Sequence, residues 1–327
     1  MKPKEIAEHY LLSSSPHAHA ATGVSRIMLD VILALLPTTA VGIWFFGWPA
    51  VWTIATCVST CLVTEAVCRL AMKRENTIGD LSAVVTGLLL ALNLPAGLPL
   101  WMAVVGSVFA IGVAKQVFGG LGMNPFNPAL AARAFMLISF TGPMTTWLKP
   151  LCHGGCAATA SASPVAAEAL TCATPLAFIK RGALDQVPGL WDLLIGNMPG
   201  CIGEVSALAL ALGAVYLLWR KVITWHIPVA FLATVAVYAL LSGRAPAHVE
   251  ILTGGVMIGA CFMATDYVTS PTTAKGKLLF GFGCGLVCML IRQFGGYPEG
   301  CSFAILIMNA ICPLINRWTG PKPFGAK

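Results

Sequence analysis

Charge is what this sequence has least of. Only 10% of its 327 residues are charged, against 57% hydrophobic, whereas charged residues make up about a quarter of a soluble globular domain. That balance excludes a water-exposed fold. A cleavable leader is not expected either: the first 25 residues hold Glu5, Glu8, three histidines and Pro16, and no apolar stretch. Haem and zinc signatures are missing as well. Cys152-His153-Gly154-Gly155-Cys156 lacks the C-x-x-C-H order of covalent haem attachment and the second pair that a structural zinc needs, which leaves a disulfide or no special role. His153, His226 and His248 have no ligand spacing, so no metal site is expected. Most cysteines, including Cys57, Cys61, Cys261 and Cys284, lie in apolar runs, where a free thiol packs as a small hydrophobe.

What is present is one apolar run after another. A helix needs about 20 such residues to cross a bilayer, and ten candidate spans emerge: 26–46, 51–72, 80–95, 99–118, 128–141, 201–219, 225–242, 249–265, 277–292 and 300–317. The expected fold is an all-α polytopic membrane protein with ten transmembrane helices. With the N-terminus in the cytoplasm, fourteen Lys and Arg fall inside and five outside (Lys149, Lys180, Arg181, Arg244 and Arg292), with Arg133 left within a span. Cytoplasmic loops carry the excess of positive charge. Both termini are therefore expected in the cytoplasm, with 1–25 as an arm, 318–327 as a tail and 142–200 as an extracytoplasmic loop. So placed, the net charge of +7 asks for no nucleic acid. Trp44, Trp48 and Trp52 cluster where the first two spans should meet the outer interface.

The spans read as a pattern written twice. Phe118-Gly119-Gly120 recurs as Phe294-Gly295-Gly296, 176 residues on, and Asp30 is answered by Glu204 at an offset of 174. Pro49 is answered by Pro228 at 179 and Asp80 by Glu250 at 170. The near-constant offset suggests two five-helix repeats, 26–141 and 201–317. An odd number of helices per repeat makes the second enter from the opposite face, an inverted-topology repeat.

Short, interrupted helices in such a frame point to a buried site between repeats, or are ordinary helix stops. The third span ends in Asn93-Leu94-Pro95, the fifth begins after Asn124-Pro125-Phe126-Asn127, and the eighth ends in Asp266-Tyr267-Val268-Thr269-Ser270-Pro271. Asp30, Glu65, Arg133, Glu204 and Asp266 lie in or at the ends of apolar runs, where an ionisable group is costly enough to suggest function. Asp30 and Glu204 are expected to reach the headgroup level. Asp266 is the best internal candidate for a cofactor or ion contact, and Arg133 suits a flavin carbonyl, a phosphate or a partner carboxylate.

The longest polar interval contains Thr171-Cys172-Ala173-Thr174-Pro175-Leu176. Its hydroxyls could serve as a nucleophile, a helix cap or an attachment point. Glu168-Ala169-Leu170-Thr171-Cys172-Ala173-Thr174-Pro175-Leu176 resembles the flavinylation motif Asp-Gly-x-Ser/Thr-Gly-Ala-Thr-Pro-Leu, in which the last threonine carries FMN through a phosphoester. The sequence departs from it at Glu168, Ala169 and Cys172. Ser15-Pro16-His17, Ile27-Met28-Leu29-Asp30-Val31, Gly122-Met123-Asn124-Pro125-Phe126-Asn127-Pro128-Ala129, Gly203-Glu204-Val205-Ser206 and Met263-Ala264-Thr265-Asp266-Tyr267 extend the likeness along the chain. Together they resemble the D subunit family of Rnf electron-transport complexes. The related B subunits of sodium-pumping NADH:quinone reductases usually have a longer N-terminal region.

The resemblance implies covalent FMN on Thr174, with Thr171 as the rival acceptor, and a flavin transferase that installs it. Lys180 and Arg181 either pair with the ester phosphate or flank a helix as interfacial cations. A hydrocarbon core about 30 Å thick separates an outer flavin from the cytoplasm, so a second redox centre is implied. The family likeness makes it a noncovalent riboflavin, expected near Asn124, Asn127 and Asp266. The implied protein is an electron-transfer subunit of a multi-subunit, ion-pumping ferredoxin:NAD⁺ oxidoreductase in a bacterial or archaeal cytoplasmic membrane. It has no complete catalytic site of its own. A quinone-reductase subunit and an inverted-repeat solute channel are the alternatives.

Overall fold

A computed structural model describes residues 23–74, 77–150, 173–183, 185, 187–296 and 299–320. Within them the regular elements are helices, joined by turns and an isolated antiparallel bridge. Four helices are long and apolar enough to cross a membrane: α1 (Val24–Phe46), α2 (Trp48–Ala71), α12 (Ala274–Phe294) and α13 (Cys301–Thr319). Shorter apolar helices stand beside them: α3 (Ser82–Leu92), α4 (Leu100–Val108, continued by wider turns over Phe109–Gln116), α5 (Pro128–Ser139), α8 (Ala207–Trp219) and α9 (His226–Ser242). Two small helices, α6 (Pro175–Arg181) and α7 (Leu190–Ile195), precede α8. The segment after α9 is split into α10 (Ala247–Leu252) and α11 (Val256–Ile258, continued over Gly259–Met263). This is the architecture of a multi-pass membrane protein, with large apolar side chains such as Trp48, Leu240 and Leu241 left on its exterior.

Local chemistry sets the helix ends. Asn127 caps α5, its Oδ1 accepting from Ala129 N and Leu130 N, with Pro128 in the first turn, where its missing N–H is harmless. Ser206 and Thr273 cap α8 and α12 in the same way. Helices α1 and α8 approach so closely that a Cβ on Gly213 would stand 2.3 Å from the Ala34 carbonyl oxygen; small residues permit such packing where helices pass through lipid.

The elements depart from the expected spans at three places. The third helix starts at Ser82, not 80, because Ile78–Asp80 forms a 3₁₀ turn and Leu81 takes a left-handed conformation. The run expected at 201–219 is helical only from Ala207. Its first residues instead pair with the end of α3: Ile202 N donates to Leu94 O and Gly203 N to Leu92 O, around an antiparallel bridge between Pro95 and Cys201. The run expected at 249–265 breaks at Gly254, whose φ of 66° suits a residue without a side chain. These interruptions leave backbone groups that another segment must satisfy, and they put polar side chains inside the molecule.

Candidate functional site

Two polar sites are built on α5. The first centres on Arg133, which is buried. Its Nη1 donates to Asn93 Oδ1 at 2.8 Å, and its Nη2 donates to Glu204 Oε1 at 3.0 Å, to Cys201 Sγ at 3.3 Å and to Glu299. The broken end of α3 delivers Asn93, the turn before α8 delivers Cys201 and Glu204, and the α12–α13 connection delivers Glu299. One thiol and two carboxylate atoms here lie within 4.8 Å of one another, yet the guanidinium that donates to all three holds the place a metal ion would need. Burial, and the neighbouring Glu204, push the Glu299 carboxyl up to about 7.

Thr174 opens onto this cluster. It shares a pocket of about 240 Å³ with Glu204, Glu299, Met198 and Gly254. Only 5% exposed, it caps α6, its Oγ1 accepting from Ala177 N at 3.3 Å. Leu176 and Ile179 anchor α6 in a small core with Leu193, Met198, Ala245 and Val249. Lys180, at the far end of α6, donates to the carbonyls of Gly295 and Gly296 at 2.6 and 2.8 Å. Six residues of helix separate it from Thr174, about 9 Å. Neither Lys180 nor the exposed Arg181 lines the Thr174 pocket; Arg133 is bound to its Glu204 and Glu299, and Arg292 Nη2 lies 2.9 Å from where a Cβ on its Gly254 would stand. Thr171, Cys152 and Cys156 lie outside the described residues.

The second site is a cleft that encloses about 780 Å³ when the space open to solvent is counted. Asn124, Asn127 and Asp266 all line it, among apolar side chains such as Met28, Leu89 and Phe262. Asp266 accepts from Thr269 Oγ1 at 3.2 Å, and Asn124 Nδ2 donates to Phe126 O at 2.9 Å. Lys115 also lines the cleft; its ammonium donates to both oxygens of Glu65, at 3.1 and 3.0 Å, and to Ser82 Oγ at 2.8 Å. From sequence, Lys115 counted only among the cytoplasmic charges. The usable signal was a lone cation near the end of the apolar run 99–118.

The sites are linked. Asn127 Nδ2 donates to Met263 O at 3.3 Å, and Asn93 Nδ2 reaches Met263 Sδ at 3.6 Å while Asn93 Oδ1 holds Arg133. Asn127 and Arg133 stand about 9 Å apart along α5. Glu204, expected at the headgroup level, is instead buried against Arg133, because the turn before α8 folds inward onto α3. Asp30 is paired with Arg220 at 3.1 Å, tying α1 to the end of α8.

The family model described as NQR2, RnfD, RnfE matches residues 11–325. The chain belongs to this family. It is 50% identical over 317 residues to the D subunit of the Na(+)-translocating ferredoxin:NAD(+) oxidoreductase complex of Acetobacterium woodii, covering 96% of this chain and 95% of that one. It is 40% identical over 339 residues to the D subunit of the ion-translocating oxidoreductase complex of Halorhodospira halophila, covering 96% and 95%. Against the Salmonella newport protein of the same description it is 38% identical over 348 residues, covering 97% and 98%. Both sites lie within the residues that the family model matches.

Proposed function

We propose that this chain is the membrane subunit that passes electrons between two flavins in an ion-translocating ferredoxin:NAD⁺ oxidoreductase, with FMN esterified to Thr174. The complex and its reaction follow from family membership and from relatives that match nearly end to end. The observation that supports the flavin assignment is the placement of Thr174 on a pocket whose carboxylates bind Arg133, which is linked through Asn93 and Met263 to Asn127 of the larger cleft.

A phosphoester on Thr174 Oγ1 would meet Glu204 and Glu299, the charged side chains that line its pocket, with the buried guanidiniums of Arg133 and Arg292 behind them; the isoalloxazine would extend beyond the pocket. The larger cleft, with Asn124, Asn127, Asp266 and Lys115 placed among apolar walls, suits a noncovalent riboflavin. When bound, the flavins supply the redox chemistry; the protein supplies orientation and electrostatics.

In the same reading the chain crosses the cytoplasmic membrane ten times as two inverted five-helix repeats. Its termini are inside, and Thr174 faces outward. Supporting the repeat are the two buried cations Lys115 and Arg292, 177 residues apart and so near the offset of the Phe-Gly-Gly pair, although the glutamates that they bind, Glu65 and Glu250, come from spans that do not correspond. Other subunits of the complex pass electrons to and from this one, and a flavin transferase matures it.

Denaturing gels of the chain expressed with a flavin transferase test the covalent bond. A band fluorescent under ultraviolet light that disappears in Thr174→Val is expected. A dark wild-type band refutes the attachment.

A further inference from the structure

The cleft and the Thr174 pocket lie at opposite ends of the same helices. Helix α8 runs from Met198 and Glu204, before its start and at the pocket, to Val222 and Ile223, beyond its end and at the cleft. Helix α12 runs the other way, from Tyr267 and Val268 on the cleft side to Glu299 on the pocket side. Its 21 residues span about 30 Å, about the thickness of a hydrocarbon core. Far less than that separates the two openings. Asn127 still lines the cleft, and Arg133, whose partners Glu204 and Glu299 line the pocket, follows about 9 Å further along α5. Even this interval is polar: Asn127 Nδ2 donates to Met263 O, and Asn93 bridges Met263 Sδ and Arg133. A chain built this way holds an ion gradient only if something in the interval stops cations.

The residues at the outer end of the interval are ones that a cation would bind. Cys201 Sγ and an oxygen from each of Glu204 and Glu299 lie within 4.8 Å of one another, and ligand atoms at about 2.3–2.6 Å from a common cation stand no more than about 5 Å apart. Arg133 Nη2 donates to all three. Asn93 Oδ1 holds its Nη1 at 2.8 Å, so the guanidinium is fixed from both sides. We propose that Arg133 is a tethered cation that fills this coordination site and closes the interval between cleft and pocket to mobile cations. The inference rests on the chain spanning the membrane and on neither flavin.

The cluster holds more than a brace between helices needs. One carboxylate would pair with the guanidinium; a second carboxylate and a thiol on the same nitrogen are costly to bury and complete the donor set of a cation site. Lys115 and Arg292, the other buried cations described above, are placed differently. Lys115 lies on the cleft wall against Glu65, and Arg292 binds the Glu250 and Thr253 carbonyls where the helix after α9 breaks. Neither stands between the openings. A cation arriving from either side therefore meets acceptors already taken and a fixed like charge within a few ångströms, where water screens little. Arginines exclude cations from pores in this way.

The test is passive flux from proteoliposomes holding the full chain, loaded with ²²Na⁺ and given no redox substrate. Wild-type vesicles should retain the ion as protein-free vesicles do. Arg133→Gln should release it faster, by a factor on the order of 10³ if like-charge repulsion at about 4 Å and a dielectric of about 20 is lifted in full, and Arg133→Lys should stay tight. The vacated site has its own readout. Cd²⁺, which suits a thiolate, should raise the thermal midpoint of Arg133→Gln more than that of Arg133→Gln/Cys201→Ala. If Arg133→Gln does not fold, Arg133→Gln/Glu204→Gln replaces it: one carboxylate is then left unpaired, and the variant should still leak and bind Cd²⁺ through Cys201 and Glu299. A leaking wild type, or a folded Arg133→Gln as tight as the wild type, overturns the inference. Cd²⁺ binding without a leak overturns it too, because the site then lies on no route, and so does a leak without Cd²⁺ binding, which marks a loosened fold. A dark band in the gel assay sinks the flavin attachment and leaves this result untouched.

Discussion

The Lys115 ammonium lies 3.0 Å from Glu65 Oε2, and both side chains are only 1% exposed. Removing one member of such a pair strands the other charge, which typically destabilises a protein by about 3–5 kcal/mol. Glu65→Gln should therefore lower the thermal midpoint of the detergent-purified chain strongly. Adding Lys115→Met to it should recover most of the loss, and a double variant as unstable as the single would show that the pair is not an isolated unit.

Glu299 makes stability depend on pH with a definite sign. Its folded carboxyl titrates near 7, against 4.5 when free, so the folded chain binds this proton more tightly than the unfolded one. The contribution is full below about 4.5 and is lost as the pH rises through about 7, on the order of 3 kcal/mol for the whole interval. Thermal midpoints measured across that interval should decline with pH more steeply in the wild type than in Glu299→Gln.

Thr174 caps α6 and is nearly inaccessible, so the proposed attachment requires a flavin transferase to meet it with α6 undocked. Leu193 holds the seat of α6 without belonging to the modified segment. Truncating a buried leucine generally destabilises its site by about 2–5 kcal/mol. Leu193→Ala should thus raise the rate at which the unmodified chain acquires FMN in vitro; an unchanged or slower rate would mean that undocking does not limit the reaction.

If the larger cleft holds the proposed noncovalent flavin, filling it should displace that flavin. Val85 and Leu89 line it from α3, and Val85→Trp adds a bulky ring there. Acid extraction followed by chromatography should show the noncovalent flavin lost while the fluorescent band on Thr174 persists. Retention of that flavin would place it elsewhere.

The sequence was legible where physics is local. Apolar runs located the helices, and Asn-Pro and Thr-Pro signals marked the caps at Asn127 and Thr174. Asn124, Asn127 and Asp266, singled out beside interrupted helices, do line one cleft. The hidden part depends on contacts distant in sequence. Arg133 meets Glu299 across 166 residues and Asn93 across 40, and nothing in the immediate neighbourhood of Glu299 marks it as buried. Sequence left two readings open for Lys180, a phosphate partner or a cation flanking a helix; its ammonium, at the end of α6, donates to the Gly295 and Gly296 carbonyls.

The widened turns after α4 have a consequence for inheritance. Val117 N donates to Gly112 O, and Gly120 N to Lys115 O, each five residues back, so this stretch holds more residues per turn than an α-helix does. Each residue removed from a helix rotates the part beyond it by about 100°. A one-residue deletion between Phe109 and Lys115 would therefore swing the ammonium away from Glu65 and Ser82 and leave the apolar wall of the cleft otherwise intact. Length in this stretch is as constrained as identity, and descendants of this sequence should vary its side chains before they vary its count.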